Sequence, residues 1–76
     1  MTPDEVKLYL EQGLPECSVE VTGDGSHFDA KVIGDIFAGK NTLKRHKLVY
    51  AVVNEKITSG EIHALNLKTL TPDENQ

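Results

Sequence analysis

One cysteine, no tryptophan and no long apolar run: the 76-residue sequence is poor in the features that usually betray a role. A lone thiol, Cys17, closes no disulfide within the chain and cannot build a four-cysteine metal site. It falls at the entry to an expected strand and reads as a small buried apolar group. No stretch approaches the roughly 20 apolar residues that span a bilayer. The opening MTPDEVKLYL has neither the basic nor the apolar region of a secretory signal, so a cytoplasmic protein is expected. Tyr9, Phe28, Phe37 and Tyr50 are the only aromatics, which leaves the core to aliphatic side chains. A chain this short buries only about 60% of its unfolded surface, enough for one small domain.

The signs of catalysis are scarce as well. Ser18, Ser26 and Ser59 stand apart, without the glycine pattern of a nucleophile elbow, and Cys17 has no base beside it in sequence. No glycine-rich loop of the phosphate-cradling type occurs. Asp24 and Asp29 flank a hairpin, where carboxylates are ordinarily just solvated. A non-enzymatic protein is expected.

What is present is ordered by periodicity. TPDE at 2–5 has Thr2 as N-cap, Pro3 at the first helical position and Glu5 three residues after the cap. Val6, Tyr9 and Leu10 give the helix an apolar stripe, and Gly13 ends it. CSVEVTG and HFDAKVIG alternate with period two on either side of GDGS, the pattern of an antiparallel hairpin. DIF allows one short helical turn. A longer helix is predicted from about Thr42 to Ile57, with Leu43, His46, Val49, Tyr50, Val53 and Ile57 on one face. Leu48 and Val52 lie off that face and suggest a second neighbour. A last strand is predicted over 61–70, with His63 in the same row as Leu65 and Leu67. The fold class is α+β: a single αββααβ domain over 1–70, with helices packed on one face of a three-stranded sheet. TPDE recurs at 71–74 as a second capping box, with too few residues after it to propagate a helix, so 71–76 is expected to fray.

Charge is unevenly spread. The net charge is −4, yet the octet KNTLKRHK at 40–47 holds Lys40, Lys44, Arg45 and Lys47 and no acid. Cations at the first turns of a helix oppose its dipole by about 0.3–1 kcal/mol each. Such a cluster is either a solvated face or a dock for an anionic partner, nucleic acid included. The three histidines are the only side chains that ordinarily titrate near neutrality. His46 lies on the apolar helix face, His27 opposite Phe28 beside the turn, and His63 at the head of an apolar row. Each, taken singly, reads better as a structural or surface histidine than as a ligand.

GDGSHF at 23–28, LKRHKLVYAVV at 43–53 and EIHALNLKTLTPDE at 61–74, in that order and spacing, resemble the BolA family. The turn GDGSHF is most like its IbaG-type branch of acid-stress-associated bacterial proteins. The similarity spans about residues 5–74. It implies a fold related to the class II KH domain, and an adaptor that pairs with a monothiol glutaredoxin of the CGFS type. The pair would share a bridging [2Fe-2S] cluster, with sulfur ligands from the glutaredoxin cysteine and glutathione. The family's cluster-ligating histidine corresponds to His63. Histidine can replace cysteine on one iron of such a cluster, and its protonation competes with the metal.

Many members carry a second His or Cys ligand inside the hairpin loop, where this sequence has Asp24. The resemblance therefore leaves three readings: His27 moves in as second ligand (the favoured one), Asp24 ligates weakly, or His63 acts alone. The alternative function is a nucleic-acid-binding transcriptional regulator that uses Lys40, Lys44, Arg45 and Lys47. Against it, FAGKNTLK has a lone Gly39 where KH domains carry a GXXG loop. The isolated chain is expected to be a monomer or a weak homodimer, to hold no cluster by itself and to avoid membranes.

Overall fold

The computed structural model describes residues 1–75. Its elements are α1 (Pro3–Gly13), β1 (Ser18–Gly23), β2 (His27–Ile33), a 3-10 turn (Asp35–Phe37), α2 (Thr42–Thr58) and β3 (Ala64–Leu70). This is the expected order. The sheet runs β1-β2-β3, with β1 antiparallel and β3 parallel to β2.

α1 begins as the sequence requires. Thr2 Oγ1 accepts from the Glu5 amide (3.2 Å), and Glu5 Oε1 accepts from the Thr2 amide (2.8 Å). Val6 and Leu10, one turn apart, are both fully buried, each contributing about 1.5–3 kcal/mol by leaving water. Gly13 is the last helical residue, and its role is proximity: a Cβ there would run into the Val52 side chain of α2. The two helices meet at this point, which accounts for Val52 lying off the main apolar face.

The sheet contributes Val19, Phe28, Ala30 and Val32 to the core, all on the face toward the helices. Phe37, Val49, Val53 and Ile62 close it. The opposite face carries Glu20, Thr22, Asp29, Lys31, Asn66 and Lys68, which line a shallow depression of about 300 Å³. Asn66 Nδ2 donates to Asp29 Oδ1 across β2 and β3 (3.0 Å).

Two expectations need correction. The last strand starts at Ala64, and 61–63 form a bend that buries Ile62 and exposes His63. Alternation breaks there because Ile62 turns into the core beneath the end of α2, so His63 leaves the row of Leu65 and Leu67. On α2, Val49 and Val53 are buried, but Leu43 is 64% exposed and Tyr50 36%, so the predicted stripe is only partly covered. In the segment expected to fray, residues 71–75 form a hydrogen-bonded turn. Thr71 and Glu74 close a second capping box, with Thr71 N–H donating to Glu74 Oε1 (2.9 Å) and Glu74 N–H to Thr71 Oγ1 (3.3 Å). Gln76, included in that expectation, lies outside the described residues.

Candidate functional site

Because β2 and β3 run parallel, their first residues lie at the same end of the sheet, beside the hairpin turn. The ladder pairs His27 with Ala64, and the Ala64 amide donates to the Ser26 carbonyl (3.2 Å). His63 therefore immediately precedes the residue paired with His27, at the same end of the sheet. The two histidines singled out in the sequence share one edge of the fold.

Each is held by its backbone and leaves its ring toward solvent. The turn before His27 is braced by Asp24, whose Oδ1 accepts from the amides of Ser26 (3.0 Å) and His27 (2.9 Å). Gly25 makes this possible with φ +99°, a conformation other residues avoid. The two amides, the His27 one foremost, hold the Asp24 carboxyl below the usual carboxylate range. Asp24 is thus a turn brace. The His27 side chain is 71% exposed, with Nδ1 3.9 Å from Asp24 Oδ1.

His63 is fixed from both sides. Before it, the Ile62 amide donates to the Lys56 carbonyl at the end of α2 (3.1 Å), and Lys56 Nζ pairs with Glu61 (3.1 Å). After it, the Ala64 bond to β2 begins the strand. The Tyr50 hydroxyl donates to the Leu65 carbonyl (3.3 Å), tying α2 to the start of β3. His46 is half-buried and packs edge-on against Tyr50, ring centres 6.4 Å apart, as a structural histidine does.

The basic octet is divided by the fold. Arg45 is only 13% exposed, and its guanidinium grips Glu74 with both terminal nitrogens (2.6 and 3.1 Å). It also donates to the carbonyls of Lys40 (2.8 Å) and Thr69 (3.3 Å). Arg45 first, and the Thr71 amide next, pull the Glu74 carboxyl down to about 2. Lys40 Nζ donates to the Ile36 carbonyl (2.7 Å). Lys44 and Lys47 are exposed and lie on α2, whose N-cap is Asn41, accepting from the Lys44 amide (2.9 Å). Sequence reasoning took Arg45 for an anion-binding group and missed its partner. Glu74 had already been assigned to a local cap, and nothing in the sequence links positions so far apart.

Cys17 is half-buried, and burial pushes its thiol up. Its sulfur lies where a side chain at Gly34 would go, in keeping with a packing role. Among the described residues no three His, Cys, Asp or Glu side chains come together as a metal site. No helix among them is long and apolar enough to cross a membrane.

A three-stranded mixed sheet with helices on one face, and two imidazoles at the start of its parallel pair, defines a small α+β protein with an exposed histidine edge. The family model for BolA-like proteins matches residues 2–74, and the chain belongs to that family. It is 36% identical to acid stress protein IbaG of Escherichia coli (strain K12) over 74 residues, covering 97% of this chain and 88% of that protein. A bolA protein homologue from Coxiella burnetii superposes with a TM-score of 0.90 at 45% identity, covering 99% of this chain and 96% of that one. The BolA domain of SufE1 from Arabidopsis thaliana gives a TM-score of 0.80 at 30% identity, with 95% and 93% covered.

Proposed function

We propose that this chain is a non-enzymatic cytoplasmic adaptor of the acid-stress branch, pairing with a monothiol CGFS glutaredoxin and sharing a glutathione-ligated [2Fe-2S] cluster. The observation that carries the reading is the exposed His63 ring on a bend anchored at both ends, just before the residue that pairs with His27. A cluster of this type needs four ligands. The described residues bring no three ligating side chains together, so the donor set fits a shared cluster and not one held by this chain alone.

His63 would be the principal ligand and His27 the second. The bonds of Ile62, Ala64 and Leu65 orient the His63 backbone, and the Asp24 brace orients that of His27. Ligands mounted on such fixed backbone need little ordering when a partner arrives, which favours binding. The bound cluster would supply an electron-accepting or transferable iron-sulfur unit. The nucleic-acid reading is weaker because Arg45, central to the basic octet, is committed to Glu74. The IbaG relative supplies the link to acid stress.

The test mixes the full chain with a CGFS glutaredoxin, glutathione, iron and sulfide, and records visible absorption and circular dichroism. His63→Ala should fold normally, since the side chain is exposed, and should lose the mixed histidine–thiolate spectrum. His27→Ala should give an intermediate spectrum. A wild-type spectrum and cluster lifetime in His63→Ala would overturn the assignment.

A further inference from the structure

The two outer strands of the sheet differ in how their unpaired backbone is treated. On β3, the Ala64 amide and the Leu70 carbonyl bond toward β2, so alternation turns the backbone of Leu65, Leu67 and Thr69 outward. Two of those three carbonyls are occupied by side chains of α2: Tyr50 donates to Leu65 and Arg45 to Thr69. This edge is stopped. On β1, the Asp24 amide bonds the His27 carbonyl (3.2 Å), which makes Thr22–Asp29, Glu20–Lys31 and Ser18–Ile33 the bonded pairs. Val19, Val21 and Gly23 therefore direct their N–H and C=O groups away from the sheet, and no described residue bonds them there. β1 has no proline and no bulge to discourage a further strand.

The geometry points to β1 as a self-complementary edge that pairs antiparallel with β1 of a second copy, joining two sheets into one. Charge selects the register. With the two-fold axis at Val21, the outward rows meet as Val21–Val21 and Val19–Gly23, about six inter-chain bonds in all. Glu20 then lies across from Thr22 of the other copy, and Ser18 from Asp24. An axis at Glu20 sets Glu20 against itself, and an axis at Thr22 sets Glu20 against Asp24. Both of these give only about four bonds and oppose acids directly, which is destabilising. Of these three registers only the Val21 one avoids acid on acid, and it covers the half-exposed Val21 with its own symmetry mate.

Sedimentation of the full chain over a wide concentration range tests this, with circular dichroism as the check on folding. Glu20 and Thr22 are both exposed on the outer face, so changing them leaves the core intact. The wild type should show a monomer–dimer equilibrium. Thr22→Glu places a carboxylate opposite Glu20 twice per dimer and should weaken association by about tenfold. Adding Glu20→Lys to it converts both contacts to attractive pairs and should restore or exceed wild-type affinity. The Glu20-centred register predicts little change from either variant, since Thr22 there faces Ser18 and Glu20→Lys only replaces one like-charge pair with another. In the dimer the amides of Val19, Val21 and Gly23 should gain protection from hydrogen exchange. A chain that stays monomeric up to about millimolar concentration, where Kd corresponds to only ~4 kcal/mol, overturns the proposal. So does a dimer indifferent to both variants. An edge that accepts an extended segment of another protein and not its own copy would appear as the first of these outcomes.

Discussion

The tetrapeptide TPDE occurs twice, at 2–5 and 71–74, and folds into nearly the same ring both times. The reciprocal bonds measure 2.8 and 3.2 Å in the first and 2.9 and 3.3 Å in the second. Yet the first opens an 11-residue helix and the second a single turn. A capping box satisfies the first amides of a helix but does not decide how far the helix runs. After Glu5 come Val6 and Leu10, which bury completely against the sheet. After Glu74 come Asn75 and Gln76, which bring no apolar group. The second box instead acquires a distant partner, Arg45, so Glu74 Oε1 serves the local amide and the guanidinium together. Local geometry starts both segments, and tertiary contact decides what each becomes.

The largest way to break this contrast is to remove the burial behind the first box. Leu10→Ala should cost about 2–5 kcal/mol, enough to leave a domain of this size mostly unfolded, as read from a urea melt. A smaller effect separates the caps themselves. Thr2→Ala should lower stability by about 1 kcal/mol and the melting temperature by roughly 4–8 °C. Thr71→Ala should leave the midpoint within about 0.5 kcal/mol while speeding exchange of the Asn75 amide, which donates to the Thr71 carbonyl. Equal melts for the two threonine variants would mean that the second box also supports the core.

The subtlest difference is one of titration. Both Glu5 and Glu74 are held below the ordinary carboxylate value, Glu5 chiefly by the Thr2 amide and Glu74 chiefly by Arg45, to about 2. A carboxyl depressed on folding stabilises the native state fully above its unfolded value and loses that contribution as pH falls through the folded one. For Glu74 the window runs from 4.5 down to about 2. Carbonyl NMR titration should show Glu74 protonating last. In Arg45→Ala its value should climb toward 4.5 while that of Glu5 stays put.

Much of the fold was legible because its signals are local. The Thr2 cap, the alternation around Gly25 and the GDGS turn each depend on residues within a few positions, and all appear as expected. The bend at 61–63 was hidden, since EIHAL alternates acceptably as a strand until Ile62 is claimed by the core. The second capping box was legible too, but its tie to Arg45 was not, because the two partners sit 29 residues apart. For the site, the resemblance singled out His63 and alternation put His27 opposite Phe28. Their adjacency arises from parallel pairing, which periodicity does not encode.

That parallel pairing also sets an order of events. The β1–β2 hairpin is a neighbour-to-neighbour structure, whereas bonds between β2 and β3 join residues 37 positions apart. Closing so long a loop costs entropy that the ladder repays only once it forms, so strand addition at β2 comes late. Until then His27 waits on a hairpin without His63 beside it. A partner that grips both rings would therefore bind only molecules whose last strand has docked, and its grip would in turn hold that strand in place.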